Sequence, residues 1–129
     1  MELEGIKETV LYAKDLKTIR SFYHDFLGLK IYSEKENAFI FFKLGSQMLL
    51  FFQVDYSRGQ DHLPAHYAEG VQHLAFWVKK TDYAKWKDRF NHRGIIEHVE
   101  EWPGGLESFY FRDPENNSLE IVPERLWEL

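Results

Sequence analysis

The chain has 129 residues, enough for one domain and too few for two independent large cores. Apolar residues make up 44% and charged residues 29%, the balance of a folded globular protein rather than a disordered one, and aromatic residues reach 17%. A formal net charge of −5, with no Lys/Arg-rich stripe, argues against nucleic acid as a partner; the absence of cysteine excludes disulfides, thiolate zinc sites and a Cys nucleophile.

Along the chain, Ile6–Ala13 reads as a strand, and Asp15 then offers a helix N-cap. Leu16, Ile19, Phe22, Tyr23, Phe26 and Leu27 recur at helical spacing, with Gly28 as the left-handed end. Leu29–Glu34, Ala38–Leu44 and Gln47–Val54 read as strands, broken by turn residues at 35–37 and 45–46. A polar stretch, 55–70, follows as a connection. The order then recurs: strand Val71–Val78, a helix capped by Thr81 or Asp82 with Tyr83, Trp86 and Phe90 inward and Gly94 past its end, and strands Ile95–Val99, Leu106–Arg112 and Ser118–Val122. Asp113-Pro114-Glu115-Asn116-Asn117 is a strong turn signal. Two βαβββ modules, residues 5–54 and 71–122 with a tail 123–129, form one α+β domain, and their sheets are expected to form a cupped cavity. The repeat keeps register, since Gly28 lies 20 residues beyond Glu8 and Gly94 lies 21 beyond His73.

The longest apolar run, Met48–Phe52, is too short for a bilayer, and Met1–Glu4 lacks signal-peptide features. No membrane association and a cytoplasmic location are therefore expected.

Residues two apart on a strand share a face. Glu8, Val10 and Tyr12 share one; His73, Ala75 and Trp77 share the matching one in module two. Glu120 interrupts the apolar residues of the last strand, and its repeat counterpart is Leu50. Glu8, His73 and Glu120 are a chemically sensible set for a divalent metal, although a strand acid usually faces solvent and a strand His is more often a hydrogen-bonded structural residue. Ser108, Tyr110 and Arg112 share a face; Arg112 there suits an anionic substrate or a pairing with Glu120 or another acid. His24, His92 and His98 read as surface residues, His62 and His66 as solvent-facing or bordering a pocket, and Glu100-Glu101-Trp102-Pro103-Gly104-Gly105 as a mobile rim. Phosphate loops, dinucleotide fingerprints, HExxH and GxSxG are absent.

The runs Glu8–Leu16, Ser21–Leu29, Gly70–Val78 and Ser108–Ile121 resemble the vicinal-oxygen-chelate superfamily, which includes glyoxalases, bleomycin- and fosfomycin-resistance proteins and extradiol dioxygenases. The resemblance covers nearly the whole chain and looks strongest toward the fosfomycin-resistance thiol transferases. It implies one divalent ion per chain (Zn, Mn, Ni, Fe or Co) held by Glu8, His73 and Glu120, while Leu50 occupies a position where four-ligand relatives place a donor. It implies a small oxygen-rich substrate chelated by the metal, with Tyr12, Trp77, Tyr110 and Arg112 against it and Glu8 or Tyr110 moving a proton. It also implies a homodimer. The competing implication is a metal-free drug-binding protein of the bleomycin-resistance type.

Overall fold

The computed structural model describes residues 1–128 and parts at Gly70/Val71 into two compact units. In module one, β1 (Glu8–Ala13) is followed by α1 (Leu16–Ile19), a π-helical segment (Arg20–Phe26), β2 (Lys30–Lys35), β3 (Phe39–Leu44) and β4 (Gln47–Gln53). Asp15 caps α1 by accepting from the Lys17 amide. The expected uniform α-helix is corrected here. Leu27 N–H reaches back to Phe22 C=O, five residues away, at 2.9 Å. The buried residues Ile19, Tyr23 and Leu27 are spaced by four. A strict 3.6-residue turn rotates such a series off one line, and a wider turn reduces the drift. The sheet order is β1-β4-β3-β2, with β1 and β4 parallel and the remaining pairs antiparallel. The helical face of the sheet is filled by Tyr23 against Phe51 and Phe42, with ring centroids 4.7 and 5.8 Å apart.

The connection is not structureless. α2 (Val54–Arg58) forms where Gln53 accepts the Tyr56 amide in place of a usual Ser, Thr or Asp cap.

Module two repeats the plan with β5 (His73–Val78), α3 (Lys80–Arg93), β6 (His98–Trp102), β7 (Leu106–Arg112) and β8 (Ser118–Pro123), in the order β5-β8-β7-β6. The N-cap of α3 is Lys79 rather than Thr81 or Asp82; Glu124 accepts from the Lys80 amide, and Gly94 ends the helix at φ 65°. Phe90 of α3 packs on Phe111 and Phe109 at 4.5 and 5.1 Å. The Asp113–Asn117 turn is closed by Asp113 Oδ1, which accepts the amides of Glu115 and Asn117 at 2.9 Å each. Asn117 Oδ1 in turn accepts the Gln72 amide, fixing the start of β5 beside β8. The tandem βαβββ α+β fold is therefore present. No helix among the described residues is long and apolar enough to cross a membrane.

Candidate functional site

In module two the alternation of each strand sends Phe109, Phe111, Leu119 and Ile121 toward α3 and their neighbours to the other face. Register then determines what meets there: His73 lies opposite Ser118, Ala75 opposite Glu120, Tyr110 opposite Glu120, and His98 opposite Tyr110.

His73 Nδ1 is 2.8 Å from the Ser118 carbonyl oxygen. A carbonyl only accepts, so Nδ1 carries the proton and Nε2 of the neutral ring keeps its lone pair. That nitrogen faces Glu120 Oε1 at 3.4 Å. The Glu120 side chain is only 6% exposed. Its other oxygen accepts from Ser108 Oγ at 2.6 Å, and Ser108 Oγ itself accepts from Trp102 Nε1 at 2.8 Å. Indole can only donate, so the direction of the relay is fixed: Trp102 to Ser108 to Glu120. No Lys or Arg reaches Glu120 among the described residues, which leaves a nearly buried carboxylate with the His73 imidazole opposite it. Such a group favours a cation. Two donors held about 2.1 Å from one tetrahedral ion lie about 3.4 Å apart. The His73–Glu120 separation fits that donor pair.

The Tyr110 ring stacks on His73, with centroids 6.1 Å apart and planes at 19°, and approaches His98 at 5.8 Å. Burial, then the Glu120 charge and hydrogen bonding to Glu120, push its phenol above the ordinary range, so Tyr110 is a neutral donor at physiological pH. His98 Nε2 meets Glu100 Oε2 at 2.7 Å on the same face.

In module one Glu8 and Tyr12 share the face away from the helix, and Leu50 stands opposite Val10 as Glu120 stands opposite Ala75. The repeat equivalence of Leu50 and Glu120 thus holds in register, and buried, apolar Leu50 supplies no donor. Tyr12 Oη bonds His66 Nδ1 at 2.7 Å, and the His66 ring meets Phe52 edge-on at 5.1 Å. Ser57 Oγ donates to the His66 carbonyl.

The structure thus brings His73, Glu120 and Tyr110 together within module two, while Glu8 and Tyr12 belong to module one. Among the described residues no three His, Asp or Glu side chains are gathered around one point. Trp77 shares the His73 face and is 63% exposed. Arg112 takes the pairing alternative with Glu97, its Nε and Nη2 lying 2.6 and 3.0 Å from the two carboxylate oxygens. His98 and His66 are exposed, as the sequence predicts, whereas Trp102 departs from its expected place in a mobile rim. His98 and Trp102 lie on the strand face with Tyr110 and Ser108, so the expected rim at 100–102 is corrected to strand β6; the exposed His66 also bonds Tyr12. Alternation carried backwards from Ser108 across the glycine turn would have found Trp102.

These features define a class. The model of the Glyoxalase/Bleomycin resistance protein/Dioxygenase superfamily matches residues 5–121, and the chain belongs to that superfamily. It is similar to a lactoylglutathione lyase from Agrobacterium tumefaciens, with 39% identity, a TM-score of 0.92 and 99% of each chain covered. It is 25% identical over 119 residues to the glutathione transferase FosA of Serratia marcescens, spanning 92% of this chain and 80% of that protein. A glyoxalase/bleomycin resistance protein/dioxygenase from Nocardioides shares the fold at 20% identity and a TM-score of 0.74, with 95% of this chain and 85% of that one covered.

Proposed function

We propose that the chain is a metal-dependent lyase or thiol transferase that acts on a small oxygen-rich substrate, with Glu8, His73 and Glu120 as the ligands of one divalent ion. The observation that carries this reading is His73 Nε2 facing, at 3.4 Å, a nearly buried Glu120 oxygen that no Lys or Arg among the described residues reaches, each side chain braced from behind by a hydrogen bond. A bound divalent ion would supply Lewis acidity to adjacent substrate oxygens. Tyr110, kept protonated, donates a hydrogen bond to substrate, and Glu8 would serve as a base, where a proton is moved, only when not bound to the ion. The names of the Agrobacterium lyase and the Serratia transferase both point to glutathione conjugates and support a thiol-linked substrate here. The whole chain acts as one functional unit on this reading.

Leu50 favours a second reading, a metal-free small-molecule binding protein of the bleomycin-resistance type, because it removes a fourth donor. Elemental analysis of protein purified without a metal-affinity tag separates the two, combined with calorimetric titration of Zn, Mn and Ni into wild type and His73→Ala. The expected result is one ion per chain, with at least hundredfold weaker binding in a variant of unchanged circular dichroism. A metal-free protein whose weak binding is the same in both forms refutes the enzyme and supports the second reading.

A further inference from the structure

Module one contains a cavity of about 390 Å³ on the sheet face that carries Glu8. That volume lies in the range of small-molecule sites. Phe41, Met48, Leu50 and Tyr32 line it, with Lys7 and Glu8 on β1's side and Lys43 on β3's. The register explains the layout: Glu8 pairs with Met48 of β4, and Met48 pairs with Lys43 of β3. Two strand spacings place the Glu8 and Lys43 backbones about 10 Å apart.

Lys43 also lies directly opposite Lys30 of β2. Like charges facing each other across a strand pair are destabilising, and neither ammonium has a carboxylate partner among the described residues. Lys43 Nζ instead stands 6.0 Å from the centre of the Tyr32 ring. An anion placed there would relieve the repulsion, and the apolar lining would take a hydrophobic body.

We propose that this cavity is an anion-anchored subsite that selects organic anions with an apolar or aromatic body: the charged head at Lys43, the body over Phe41, Met48 and Leu50, and the far end directed toward Glu8. The proposal deepens the enzyme reading by giving the substrate a negative charge about 10 Å from its reacting end, and it rests on that reading only for the role of Glu8.

Metal-free protein tests the subsite apart from the metal. The probes are 1-anilinonaphthalene-8-sulfonate and its uncharged counterpart N-phenyl-1-naphthylamine, followed by fluorescence in wild type, Lys43→Met, Lys43→Arg and, as a charge control on module two, Lys79→Met. Lys43→Met should bind the sulfonate about tenfold more weakly, the scale of one charge-assisted hydrogen bond. It should bind the neutral dye within twofold of wild type, and Lys43→Arg should restore the sulfonate. Without ligand, Lys43→Met should melt no lower than wild type, because it removes a repulsion. Unchanged sulfonate affinity in Lys43→Met, an equal loss for both dyes, or an equal loss in Lys79→Met overturns the proposal. None of these outcomes bears on the metal titration.

Discussion

At the scale of single residues, the fixed direction of the Trp102–Ser108–Glu120 relay has a measurable consequence. Ser108→Ala removes the donor to Glu120 Oε2 and frees the carboxylate to rotate away from His73. Metal affinity should fall tenfold to a hundredfold, the range for losing a partner behind a ligand. Trp102→Phe, which removes only the indole N–H, should lose less. Competition against a chromophoric chelator measures both, and wild-type affinity in Ser108→Ala would sink the role. Glu8, His73, Glu120 and Leu50 could be read from the sequence because each falls at a repeat position on an alternating strand. Trp102 could not, because the strand expected at Ile95–Val99 runs from His98 to Trp102 and the expectation leaves Trp102 in a rim.

At the scale of elements, that shift has a physical origin. Ile95 and Ile96 drew the strand toward themselves, yet the Ile95 amide bonds Phe90 C=O and belongs to the end of α3. Pairing begins at Glu97, whose amide bonds Tyr110 C=O, and runs to Trp102 opposite Leu106. The short loop between them closes because Gly104 and Gly105 adopt φ of 82° and 74°, which glycine takes at little cost. β7 itself lies where the alternation of Leu106–Arg112 predicts it. The π-helical segment was not readable, since spacing by four suits an α-helix almost as well. β7 meets α3 through Glu107, which accepts from Lys87 Nζ at 2.7 Å and from Tyr83 Oη at 3.0 Å. The Lys87 hydrogen bond holds the Glu107 carboxyl below its ordinary 4.5. A depressed folded value means the stabilisation is present above the unfolded value and is lost as pH falls through the folded one. Glu107→Gln should therefore cost about 1 kcal/mol at pH 7 and progressively less below the ordinary 4.5. Urea unfolding of both proteins across that range checks the sign; a cost independent of pH would refute it.

At the scale of the whole molecule, each βαβββ module covers one face of its sheet with its own helices and leaves the other to different partners. On that other face of module one, Phe39 stacks on Phe41 at 4.3 Å and Phe41 meets Phe52 at 5.4 Å, a half-buried aromatic cluster that Tyr56 of α2 and His66 meet at its edge. In module two, Trp77 is 63% exposed beside His73. Contiguous apolar surface of this kind marks an interface or a ligand site more often than a solvated surface. Closed two-fold pairing is the commonest way for a small chain to bury such surface, since one patch then serves both subunits. We therefore predict a symmetric homodimer with two equivalent sites. Light scattering at micromolar concentration should return twice the 15.5 kDa of one chain. Because association would stabilise only the folded state, the urea midpoint should also rise with protein concentration. A mass of one chain together with a midpoint independent of concentration would exclude the dimer. The metal stoichiometry then gives an independent reading of the same assembly: two ions per dimer if both sites are complete, and fewer if pairing leaves either site without its Glu8.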